Sequence, residues 1–264
     1  VRCFERAAQA DPNCPMAFWG IAYSSGPNYN MQWDAFEEAD AEATCKKVFE
    51  ATRKAVLLKS RGSSVEQGLI DALTKRYPSP HASDDWDIWN DDFASAMRTV
   101  HRAFPGDWDV CALFADAMMN RTPWALWDLK SGQPAAGADT VEVMEVLDTA
   151  ISRLSLTDED PHAGLLHMYI HLMEMSPHPH KALKAGDALY GLAPDAGHLE
   201  HMPTHIDVLC GQYASVVERN HAAVVADRKY LKREGALNFY STYRGHDLHF
   251  KLYGAMLLGQ KGPA

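Results

Sequence analysis

Residues 167–205 read HMYIHLMEMSPHPHKALKAGDALYGLAPDAGHLEHMPTH, and the stretch writes one histidine pattern twice. His167 and His171 form an H-x-x-x-H pair, and His201 and His205 repeat it 34 residues later. Residues four apart on an α-helix share a face, with Cβ atoms roughly 5–6 Å apart, so each pair can reach one metal ion. Equivalent positions in stacked repeats point the same way. The register therefore predicts four imidazoles converging from neighbouring helices. Glu174, three residues after His171, and His198, three before His201, fall on the same face.

A 34-residue period is that of a tetratricopeptide-type helix-turn-helix unit. Pro177, Ala182, Leu189 and Pro194 after the first pair, and Gly211, Tyr213, Val216 and Ala223 after the second, take its turn, packing and terminating positions. The fold expected is all-α, a tetratricopeptide-like right-handed superhelix of antiparallel helix pairs with the histidines lining its concave groove. A lone helical histidine is usually structural. Two pairs in strict register beside a carboxylate favour metal binding.

The formal charge of −10 argues against a phosphate-binding surface, so nucleic acid is not an expected partner. Cys3, Cys14, Cys45, Cys111 and Cys210 are odd in number and hold no C-x-x-C pair, which favours a reducing compartment. No apolar run reaches the roughly 18–20 residues needed to span a bilayer. The chain is expected to be cytoplasmic, with a small-molecule substrate, no membrane partner, and a homodimer left open. Its start, VRCFERAAQA, reads like the second helix of a repeat whose first helix is missing.

The remaining chain reads as one tetratricopeptide-like α-solenoid domain, 1–264, with an N-terminal segment spanning 1–120, a lid-like loop 121–140 and histidine-bearing repeats 160–264. Helical periods cover Asp34–Lys59, Ser63–Tyr77, Trp86–Phe104 and Asp107–Asn120, and Ser63 with Glu66 forms a helix-start pattern. The polar break GPNYN offers Asn28 and Asn30 as a substrate rim. Trp124 and Trp127 stand in the aperiodic loop, where long loops are often functional. Near the end, His246 and His249 form an H-x-x-H pair that can enter the same groove.

The chain resembles a family of tetratricopeptide-like proteins widespread in bacteria and also found in fungi. The residues carrying the resemblance run nearly end to end: Trp19-Gly20 with GPNYN, the Trp-rich loop with GQPAAG, HMYIH, PDAGHLEHMPTHI and HDLHF. The resemblance implies the fold and no activity. Bacterial members usually carry Asn where this chain has Asp247, a change that can alter a local hydrogen bond without removing a ligand.

The expected metal ligands are thus His167, His171, His201, His205, His246 and His249. Asn28, Asn30, Trp124, Trp127 and His198 are expected to bind substrate, and Glu174 to transfer a proton or orient a ligand histidine. Imidazole suits copper, iron and zinc, with copper or iron favoured. Six histidines match the ligand count of two three-histidine sites, as in dinuclear copper proteins that handle dioxygen. The expected activity is a metal-dependent oxidoreductase, an oxidase or oxygenase acting on a small organic molecule. A zinc-dependent hydrolase and a non-catalytic metal- or peptide-binding tetratricopeptide module are the alternatives.

Overall fold

The computed structural model describes residues 1–262. Helices supply nearly all its regular structure, as the 3.6-residue apolar period predicts. In chain order they are α1 (Arg2–Ala10), α2 (Pro15–Ser25), α3 (Glu38–Leu58), α4 (Ser64–Arg76), α5 (Trp86–Ala103), α6 (Trp108–Met119), α7 (Thr140–Leu154), α8 (Ala163–Met173), α9 (Leu183–Leu189), α10 (Gly197–His201), α11 (Pro203–Leu209), α12 (Tyr213–Glu234) and α13 (Ser241–Leu257). Among the described residues the strands are β1 (Trp127–Asp128) and β2 (Gln133–Pro134), paired antiparallel. The class is all-α. None of the helices described is long and apolar enough to cross a membrane.

The chain divides into two compact units, the first comprising Val1–Leu126 with Ala135–Val143, the second Trp127–Pro134 with Met144 onward. In the first unit, helices adjacent in sequence pack on one another from α1 to α6. Ile21, Ala22, Trp33, Cys45, Val48, Leu73, Tyr77 and Trp89 form one of its buried clusters. The Ser63 hydroxyl accepts from the Glu66 amide at 3.3 Å, and the Glu66 carboxylate accepts from the Ser63 amide at 2.6 Å. This reciprocal box satisfies two otherwise orphaned donors and fixes where α4 begins.

One helix expected over Asp34–Lys59 instead starts later. Trp33–Ala35 form a 3-10 turn, Phe36 is extended, and α3 begins at Glu38. Phe36 leaves the helix so that its ring can pack on Trp33, 5.3 Å between centroids. Glu38 and Asp40 then favour the positive end of the new helix.

In the second unit, α8 packs on α9, α9 on α11, both α10 and α11 on α12, and α12 on α13. Leu165, Leu166, Met168, Tyr169, Ile170, Leu172 and Met173 are buried along α8, so this helix is enclosed on most sides and its histidines are desolvated. The second H-x-x-x-H pair spans two short helices, because Pro203 has no N–H to continue the ladder of α10. Met202 nevertheless stays helical at φ −50 and ψ −40. His201 and His205 keep a common face across the break.

Candidate metal centre

Two groups of three histidines emerge in the second unit: His167, His171 and His198, and His201, His205 and His246. Within each group the ligand-type nitrogens lie within 4.8 Å of one another. The groups are neighbours, with ring centroids 6.4 Å apart for His171 and His205 and again 6.4 Å for His198 and His201.

Hydrogen bonds place an N–H at Nδ1 of three of these rings. His201 Nδ1 lies 2.6 Å from Asn220 Oδ1. The Asn220 amide nitrogen donates to the Val216 carbonyl at 2.8 Å, so its oxygen is the atom facing the ring and His201 Nδ1 is the donor. His171 Nδ1 lies 2.7 Å from Glu174 Oε1, and His205 Nδ1 contacts Glu174 Oε2. Burial alone would push the Glu174 carboxyl up. The hydrogen bonds from His171 and His205 outweigh it and bring the group down to about 2, leaving an ionised carboxylate that only accepts.

His201 spends its N–H at Nδ1, so its Nε2 holds a lone pair, and it faces His205 Nε2. Those atoms are 2.8 Å apart. Either an N–H on His205 or an electron-pair acceptor shared by the two rings satisfies that lone pair. Burial and the neighbouring His205 drive His201 well below its usual pKa, so its Nε2 is the electron-pair donor of the two. His246 Nε2 approaches His205 Nε2 at 3.3 Å, and His167 Nε2 approaches His198 Nε2 at 3.2 Å. A metal bonded at about 2.0–2.1 Å to imidazole nitrogens spans such separations with both bound to one ion. The donor set therefore fits a metal at each triad, with room in the coordination number for another ligand.

Desolvation also acts on His167, His198 and His246. Burial lowers His167 and His198 well below the usual histidine range, and His246 falls to about 4 through burial and the adjacent His205 and His249. Neutral imidazole is the form that binds metals. Phe250 packs against all three rings of the second triad, with centroids 4.9 Å from His201, 4.9 Å from His205 and 4.7 Å from His246. His198 meets the Tyr243 ring edge-on at 5.4 Å. Gly197 is required beside it, since a Cβ there would overlap the Asp227 carboxylate.

The other residues singled out by sequence fall as follows. His198, expected to meet substrate, completes the first triad, whereas His249, expected as a ligand, is exposed and belongs to neither. Glu174 has both oxygens committed to imidazoles. Trp127 is buried, and its indole N–H donates to the Leu172 carbonyl at 2.7 Å, tying the hairpin to α8. Asn28, Asn30 and Trp124 belong to the first unit. There Asn28 Oδ1 accepts from the Asn30 amide at 3.0 Å, and the Trp124 amide donates to the Tyr29 hydroxyl at 3.2 Å. Trp124 takes a left-handed φ of 58 and remains 41% exposed.

Asn220 was not singled out by sequence, although it stands on the helix that follows the second histidine pair. Asp247, noted only as a departure from Asn, lies 3.3 Å from His201 Nδ1 and is fully buried. Burial first, then the charge and hydrogen bond of Asp227, raise its carboxyl to about 9. No protein-family model matches this chain, and no curated protein matches it significantly.

Proposed function

We propose that this protein is a metal-dependent oxidoreductase acting on a small organic molecule, with two three-histidine sites forming a dinuclear centre. The observation that carries the reading is the gathering of six imidazoles into two adjacent triads whose ligand-type nitrogens lie within 4.8 Å of one another, with His201 and His205 Nε2 at 2.8 Å. Copper or iron is the favoured metal: imidazole suits both as it suits zinc, and two adjacent three-histidine sets match the ligand count of dinuclear copper proteins that handle dioxygen. Such a metal supplies one-electron chemistry towards dioxygen. The chain's own residues hold it: six imidazoles bind, Asn220 and Glu174 orient them, and Phe250 excludes water from one side of the second triad.

The same reading takes the helix pairs as tetratricopeptide-like repeats in a right-handed superhelix, within the bacterial and fungal family that the motifs resemble. The 34-residue histidine register and the packing of sequence neighbours support it.

A zinc hydrolase is the second reading, and it needs a general base. Glu174 suits that role poorly, since both its oxygens accept from imidazoles and its pKa is depressed to about 2. A non-catalytic metal- or peptide-binding module is the third. To decide, apo-protein is loaded separately with copper, iron and zinc, and oxygen uptake is followed with small organic substrates. Oxygen consumption with copper or iron is expected. Turnover with zinc alone and no oxygen uptake assigns a hydrolase, and metal binding without turnover assigns a binding module.

A further inference from the structure

Glu174 stands at the end of α8 and touches one histidine of each triad, His171 through Oε1 and His205 through Oε2. One carboxylate thereby sets the tautomer and ring orientation in two ligand sets. The two sets are unequally supported. In the second triad His201 is held by Asn220 at 2.6 Å, has Asp247 at 3.3 Å, and shares the packing of Phe250 with His205 and His246. In the first triad the His198 Nδ1 is buried without a hydrogen-bond partner, so no protein group fixes the tautomer of that ring.

We infer that the two triads load in a fixed order and are coupled through Glu174: the His201–His205–His246 site takes the first ion, and the ordered carboxylate then prepares the His167–His171–His198 site for the second. This rests on the reading of both triads as metal sites. The physical reason is that ordering lost motion costs free energy, and a ligand arriving at an already ordered site binds tighter. An ion at the second triad fixes His205, which fixes Glu174, which aims His171.

Glu174→Gln tests the coupling because the amide nearly preserves shape but has one oxygen. It can accept from only one of the two Nδ1–H groups and must present its NH2 to the other. Zinc(II) is titrated calorimetrically into metal-free wild type, Glu174→Gln, His246→Ala and His167→Ala, with circular dichroism confirming that each remains helical. Wild type is expected to bind two ions in a tight step and a weaker one. Glu174→Gln is expected to keep one tight ion and lose about 10- to 100-fold in the other step, the usual penalty for removing a group that orients a ligand.

His167→Ala is expected to leave the tight step within about threefold, whereas His246→Ala is expected to abolish it and leave only weak binding. Two steps unchanged in Glu174→Gln, or loss of the tight step in His167→Ala, overturns the ordered coupling while leaving a metal centre in place. Failure of the wild type to bind any ion overturns the metal centre itself.

Discussion

Asn220 holds His201 by an oxygen whose direction is set elsewhere: its amide nitrogen is spent on the Val216 carbonyl of the same helix. Replacing it by Ala leaves the His201 Nδ1–H without this acceptor in a buried place. Asn220→Ala is expected to lower stability by about 1–3 kcal/mol. It is also expected to weaken metal binding at the second triad by about 10- to 100-fold. Chemical denaturation and a metal titration read the two effects separately, and unchanged metal affinity would remove Asn220 from the centre.

Metal retention should extend to unusually low pH. Protons compete for histidine ligands as pH falls through about 6.5 in an ordinary site. Here burial lowers His167, His198 and His201, and His246 falls to about 4. Equilibrium dialysis across pH 4–7 is expected to place the midpoint of metal loss clearly below 6.5, and a midpoint at or above that value counts against the buried triads as ligands.

The Asp247 carboxyl makes a prediction of opposite sign. Its folded pKa of about 9 stands above its ordinary value of 3.8, so the folded state keeps a proton that the unfolded chain releases. Its contribution to stability is therefore complete below the ordinary value and is lost progressively as pH rises towards 9. Asp247→Asn carries no such dependence. In metal-free protein the variant is expected to gain on the order of 1–3 kcal/mol over wild type at pH 7 and to show no gain near pH 3. A wild-type advantage at pH 7 would refute the buried, protonated acid.

Trp127→Phe separates the hairpin from the metal centre. The substitution removes the 2.7 Å hydrogen bond to Leu172 and leaves a buried carbonyl short of a donor. A loss of about 1–2 kcal/mol in unfolding free energy is expected. Metal stoichiometry should stay the same, because Trp127 bonds to backbone and to no imidazole nitrogen. A drop in metal content without loss of stability would place Trp127 in the site.

The helical class and four histidines of the site were legible because both follow from periodicity: apolar residues at 3.6-residue spacing, and two pairs at one 34-residue interval. Spacing cannot say which of two candidates on a helix faces a neighbour. His246 and His249 lie three apart on α13, yet only His246 reaches the second triad, while His249 is exposed. His198 presents the same ambiguity beside His201, resolved by the near contact of Gly197 with Asp227, which brings α10 close to α12. Asn220 was illegible for a different reason. A buried amide on a helix looks like any polar residue until the ring it faces is known.

The Nδ1 proton that His201 commits to Asn220 also determines what must leave that ring when a metal arrives. His201 already offers a bare Nε2, so an ion entering at that ring displaces no proton from it. Most histidine sites exchange hydrogen ions for metal ions, and their heats of binding change with the ionisation enthalpy of the buffer. At neutral pH, any proton released as the second triad loads must come from another ligand, and the difference in enthalpy between phosphate, whose ionisation absorbs little heat, and Tris, whose ionisation absorbs much, counts it.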